Sequence, residues 1–446
     1  MIDQGLTPSL RRRLHQVIGE RLEAGYAGRT QEVASALATH FERSRDVERA
    51  IRYHGEAAAH AGSRLAQKEI RLHLQAALDL LHSRPESQER LLGELPLLQA
   101  LGWTLVTING WGDQDAFGAF TRMRDLAARL EVPAMRLRAM ESLRTMHAMR
   151  AEYAMARALC EETMALAKQL GDDRATGSSH VDLAAALVLL GEVERAHDHA
   201  ERGRALVDPT SVHGIGARVL LAGMCTDFGL VARSKEMCDE ALACAAKTGI
   251  PYLSALAATY AAGSALRLRD FERTRSLAED TLRLASERGF SSLRINASML
   301  LGWCGVEEGR VEEGRAALRA GFAELTASDE RIGTTTWETI LASAHLACGD
   351  VASANAVLDA AFAFAGETGE RVVEHELHRL RASVCSWMSR PLTRQRAPAN
   401  TSSGRSRLPP SGKRYSSSSA PRPARCEFAG ARRASASRAC SSASIR

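Results

Sequence analysis

The sequence predicts an all-α fold, a right-handed solenoid of helix pairs with a period of ~40 residues. Two interleaved series of turn residues carry that prediction. In the first, an apolar residue follows a turn at Tyr153, Val193, Val231, Phe271, Val311 and Val351, so successive members lie 40, 38, 40, 40 and 40 residues apart. In the second, Gly171, Pro209, Gly249, Gly289, Asp329 and Gly369 follow one another at 38, 40, 40, 40 and 40 residues. Two turn series sharing one period describe a stack of helix pairs, with one turn inside each pair and one between pairs. No convincing alternation of apolar and polar residues marks a strand.

The N-terminal residues fit this plan. Thr7-Pro8 supplies a hydroxyl cap with Pro at the first helical position. The helix that follows carries Leu10, Leu14, Val17, Ile18 and Leu22 on one face and ends near Gly25. A second helix is expected over about Thr30–Phe41. Arg45-Asp46-Val47 is an early copy of the turn signature, and Ile51, Tyr53, Ala57 and Ala58 lie on the third helix. One long helix is expected from Ser63 to Leu81, closed by Ser83-Arg84-Pro85, and another over 89–108. Asn109-Gly110-Trp111-Gly112-Asp113 is a turn, and Asp113 stands one period before Tyr153. The 66 residues from Val47 to Asp113 break the period. From 116 to 388 the pairs follow regularly, and second helices close on Gly, as in Leu284-Ala-Ser-Glu-Arg-Gly289.

At Pro391 the composition changes. Residues 391–446 hold six of the twelve prolines, thirteen serines, eleven Arg, one Lys and the single acid Glu427. Too few aliphatic residues remain to offset ordering, so this segment is expected to be a disordered basic tail. The change falls where the next internal turn is due, which reads as a frame-shifted continuation of the array. Three regions are therefore expected: an N-terminal helical segment at 1–62, the solenoid at 63–390 and the tail at 391–446.

The total charge of +5 leaves −6 on residues 1–390 once the tail's +11 is set aside, so the helical part offers no basic groove for nucleic acid. Nine scattered cysteines without a CxxC pair suit a reducing compartment. No signal sequence and no membrane-length apolar run is read, so a cytoplasmic location without membrane contact is expected.

The pattern Ala184-x-x-Leu187-x-x-x-Gly191-Glu192-x-x-x-Ala196 resembles tetratricopeptide repeats in a longer form. Leu10–Gly25, Val33–Phe41 and Asp46–Tyr53 resemble the segment that follows the ATPase core in bacterial STAND-class signal-transduction ATPases, which carry a cyclase or DNA-binding domain at one end and a tetratricopeptide arm at the other. That resemblance spans about 1–390. It implies an arm without its nucleotide-binding domain, because the only Gly-Lys is Gly412-Lys413, followed by Arg, and no phosphate loop precedes it.

No catalytic, cofactor-binding or metal residue is assigned. His375-Glu376-Leu377-His378 places its histidines three apart, whereas zinc binding from one helix wants His-Glu-x-x-His. Acid pairs such as Glu161-Glu162 and Glu312-Glu313 flank turns and read as solvated surface. Tyr260, Trp303 and Trp337 lie on consecutive first helices and suggest a shared groove on the concave face, against the alternative that they fill gaps between helices. The expected function is a non-catalytic scaffold or sensor arm that binds a protein or peptide partner, including a separate ATPase or regulator domain. The alternative is a small-molecule-sensing arm of a transcriptional regulator.

Overall fold

The computed structural model describes residues 7–64, 66–327 and 330–388, all in one compact unit. Among them are nineteen α-helices and one short 3-10 turn at Thr30–Val33. The first six helices are α1 (Pro8–Gly25), α2 (Ala34–Ser44), α3 (Val47–Ser63), α4 (Gln67–His82), α5 (Gln88–Asn109) and α6 (Gln114–Arg129). Then come α7 (Pro133–Met149), α8 (Tyr153–Gln169), α9 (Asp173–Leu189), α10 (Val193–Leu206), α11 (Val212–Asp227), α12 (Val231–Thr248) and α13 (Pro251–Arg267). The array continues through α14 (Phe271–Arg288), α15 (Ser291–Glu307), α16 (Val311–Ala327), α17 (Thr334–Ala347), α18 (Val351–Thr368) and α19 (Glu374–Met388).

The turn signatures work as helix stops and starts. Gly191, Gly229, Gly309 and Gly349 adopt positive φ between the two helices of a pair. Ala151 and Arg269 hold the same left-handed geometry without glycine, at φ 61° and 58°. An acid then caps several of the following helices: Asp113 accepts from Ala116 N at 2.7 Å, Asp270 from Arg273 N at 3.3 Å and Asp350 from Ser353 N at 3.1 Å. The irregular 66-residue step has a simple cause. Helix α4 stands between the pair α2/α3 and the pair α5/α6, one helix more than the period allows. The long helix expected from Ser63 starts instead at Gln67, because Ser63 ends α3 and Arg64 closes it. Expectations for the tail at 391–446 lie outside the described residues.

Helix α5 corrects one sequence expectation. Within its 22 residues an 18-residue window reaches a mean hydropathy of 1.4, long and apolar enough to cross a membrane by length and composition. Half of that window is buried, and Leu91, Leu95, Leu98, Leu101 and Leu105 pack into one core cluster with Leu74, Leu78 and Phe120.

First and second helices differ in burial. Helix α9 is buried on nearly every side, from Ala175 through Val181 to Leu187, whereas α10 buries only Ala196, Ala200 and Gly203. First helices α9, α11, α13 and α15 each also pack on the next first helix. Closer spacing along the first helices puts them on the inside of the curve. Glycines permit tight crossings within pairs: a Cβ on Gly314 would stand 2.3 Å from Gly302 O, and one on Gly203 2.6 Å from Val181.

The ribbon winds far enough to meet itself. Arg331 N donates to Met149 O and Arg371 N to Leu189 O, both at 2.7 Å, one repeat apart at each end. Loops that enter first helices therefore stack on turns inside pairs roughly four and a half repeats earlier, which sets the length of one superhelical turn.

Candidate functional site

Two features stand out: the polar and aromatic inner wall, and the clasp that joins successive superhelical turns. The clasp is built on Tyr153, the first residue of α8, fully buried, and Glu370, 1% exposed, in the loop before α19. The Tyr153 hydroxyl donates to Glu370 Oε2 and accepts from Gly333 N at 3.2 Å. Glu370 Oε1 accepts from Thr335 N at 3.0 Å and from the Thr335 hydroxyl. Burial and the neighbouring Glu370 carboxylate push the Tyr153 phenol far above its usual range. Beside it Glu338 on α17 is 6% exposed, and its Oε2 has no hydrogen-bond partner among the described residues. Burial, followed by the Glu370 charge, raises the Glu338 carboxyl to about 7.

On the inner wall, Asp182 of α9 bridges neighbouring first helices. Arg144 of α7 lies 3.1 Å from its Oδ2, and His213 Nε2 of α11 lies 3.4 Å from its Oδ1. Burial would raise the Asp182 carboxyl, but Arg144 and His213 outweigh it and hold it below its ordinary value. Glu141, one turn before Arg144, is raised by burial and then by Asp182.

The sequence-named aromatics divide. Tyr260 of α13 is 50% exposed, yet the surrounding protein desolvates its phenol and raises it. Tyr252, 44% exposed on the same helix, packs edge-on against Phe290 at 5.4 Å. Trp303 and Trp337 are half-buried against the core cluster of Ile295, Met299 and Leu341. The structure thus places Tyr260 on open surface and the two tryptophans against the core between helices. Of the His375–His378 motif, Glu376 pairs with Arg379 at 2.6 Å and His378 packs on Phe362.

Histidine pairs escaped the sequence reading. His180 and His199 place their Nδ1 atoms 2.8 Å apart, and His54 and His73 do so at 3.0 Å. Both pairs are separated by 19 residues, the one signal that could have found them. Among the described residues no group of three His, Cys, Asp or Glu could hold a metal ion. The thiols of Cys160, Cys238 and Cys304 are buried, and burial raises each, Cys160 to about 12. Such thiols are poor nucleophiles.

No protein-family model matches the chain, and no curated protein matches it. Solved structures do resemble it. A Rap protein complexed with competence and sporulation factor has a TM-score of 0.49 and 10% identity over 75% of this chain and 99% of that one. A STAND protein with a tetratricopeptide repeat sensor, from Pyrococcus horikoshii, has a TM-score of 0.38 and 13% identity over 73% of this chain and 50% of that one. The apo form of RapI has a TM-score of 0.51 and 11% identity over 62% of this chain and 98% of that one. At such identity the likeness concerns the fold alone: this chain is a tetratricopeptide-like α-solenoid.

Proposed function

We propose that the chain is a non-catalytic interaction arm that takes a peptide or protein segment along its inner wall. The observation that carries this reading is Tyr260, half-exposed on a first helix, in an array whose neighbouring first helices present the Arg144–Asp182–His213 network. A large aromatic left open on a first helix, with charged groups on the first helices before it, suits an anchor with a polar rim. Trp303 and Trp337 pack against the core of the following pairs and add apolar bulk to the same first helices. The resemblance of residues 10–53 to the segment after a signalling ATPase core supports a sensor arm in a cytoplasmic signal-transduction system.

Panning a displayed random-peptide library against the full chain tests the reading. Enriched peptides should carry an apolar residue next to charge, and Tyr260→Ser should abolish their binding while leaving the helical circular dichroism unchanged. No enrichment, or enrichment that survives Tyr260→Ser, would overturn it.

A further inference from the structure

The clasp contains one group that it does not satisfy. Glu370 is fully engaged: its Oε2 accepts from the Tyr153 hydroxyl, and its Oε1 accepts from Thr335 N at 3.0 Å and from the Thr335 hydroxyl. Three donors meet this carboxylate, whose ionised form only accepts. Glu338 stands beside it on α17 with no such support. It is 6% exposed, and among the described residues its carboxyl group takes part in no hydrogen bond and no ion pair.

The cations on the elements packed around α17 are engaged elsewhere. Arg331, in the loop before α17, pairs with Glu367 of α18 at 3.0 Å and lies over the Phe364 ring. Asp350, at the start of α18, takes both Arg315 of α16 and His345 of α17, and Asp359 takes Arg381 of α19 at 2.5 Å. Arg294 of α15 pairs with Glu324 of α16. Glu370 is thus the one charged group that bears on the Glu338 carboxyl, and burial together with that charge raises it to about 7.

Ionisation of Glu338 sets a second negative charge against Glu370 in a nearly dry space. The two carboxylates differ in their freedom to move. Glu338 sits inside a helix that packs on α16, α18 and α19. Glu370 lies in a loop, next to Arg371, whose N–H reaches Leu189 O on the earlier superhelical turn. If Glu370 turns out to water, Tyr153 and Thr335 lose their acceptor together, and Arg371 moves with it. The Tyr153 hydroxyl also receives Gly333 N, so the 331–333 loop loosens as well.

We infer that a proton on Glu338 latches the clasp: the superhelix is closed on itself while this carboxyl is neutral, and it opens along the 149–153 and 189–191 turns when the carboxyl ionises. The sign follows from linkage. Glu338 holds its proton more tightly in the closed form than in the open one, so closure is favoured at low pH and lost as pH rises through about 7. With an open-state carboxyl at its ordinary 4.5, the opening equilibrium should shift roughly thirty-fold between about pH 5.5 and about pH 8. Only contacts between superhelical turns are released, so the helices themselves stay formed.

Hydrogen exchange of the full chain, expressed as protection relative to the intrinsic rate at each pH, tests this. In the wild type, the Arg331 and Arg371 amides should lose roughly thirty-fold in protection between about pH 5.5 and about pH 8, while amides inside α12 keep theirs. Glu338→Gln cannot ionise and should hold the higher protection at both pH values. Wild-type protection that does not change with pH would overturn the inference, whether or not the variant folds. So would a Glu338→Gln chain that still loses protection, or a loss that α12 shares, since that would be unfolding of the whole chain.

Discussion

Replacing Glu338 by Gln should stabilise the protein at neutral and higher pH. Its carboxyl is 6% exposed, one oxygen lacks a partner among the described residues, and the Glu370 carboxylate stands nearby. Burial and that charge raise it from 4.5 to about 7. A carboxyl raised on folding binds its proton more tightly in the folded state. Its contribution is therefore fully present below pH 4.5 and is lost as pH rises through about 7. At about 1.4 kcal/mol per pH unit, the loss amounts to roughly 3 kcal/mol. Gln keeps the shape and cannot ionise, so the variant should exceed the wild type by up to about 3 kcal/mol at about pH 8 and match it near pH 4.5. Urea unfolding followed by circular dichroism at both pH values reads the difference. A variant less stable than the wild type at the higher pH would refute the reasoning, because it would mean that the ionised carboxylate has a favourable partner.

Three further outcomes follow from the same physics. Tyr153→Phe removes a donor to buried Glu370 and an acceptor for Gly333 N, and should cost about 1–3 kcal/mol while raising the radius of gyration measured by X-ray scattering. Burial, and then His199, lower the His180 imidazole to about 4. An unfolded chain takes up this proton near pH 6.5 and the folded one does not, so stability should fall as pH drops from about 6.5 to about 4. His180→Leu should flatten that part of a pH series of thermal melts. Gly314→Ala forces a Cβ to 2.3 Å from Gly302 O, backbone that cannot swing aside, and should lower the urea midpoint by an amount equivalent to about 1–3 kcal/mol.

The array was legible because its information is local. Each turn announces itself within a few residues, as Gly191-Glu192-Val193 does, and the helix between turns needs only its apolar stripe. The helix α4 showed in its apolar stripe and separately as a broken period, but periodicity says where a pattern fails and not that a single helix stands between two pairs there. Helix α5 differs for another reason: Glu89 and Arg90 crowd its first turn and Glu94 interrupts the leucines, yet an 18-residue stretch beyond that first turn is apolar on average. The clasp was invisible. Tyr153 reads as one more apolar turn residue and Glu370 as a polar loop residue, and only the winding of the superhelix, set by small crossing angles summed over several repeats, brings them together. Tyr260, Trp303 and Trp337 show the limit within a single helix: all are aromatics on first helices, yet Trp303 and Trp337 stand three residues after and three before the Tyr260 register, and a three-residue shift turns a side chain by roughly 60°, enough to bring them against the core while Tyr260 stays 50% exposed.

Hydrogen exchange of the Arg331 and Arg371 backbone amides reads directly whether the superhelix closes edge to edge on itself. Both lie in loops, where an amide open to water exchanges fast, yet each donates at 2.7 Å to a carbonyl of an earlier superhelical turn. Both positions should be protected to a degree comparable to the adjoining helices, and that protection should be lost together in Tyr153→Phe. Exchange at the rate of an open loop in the wild type would contradict it.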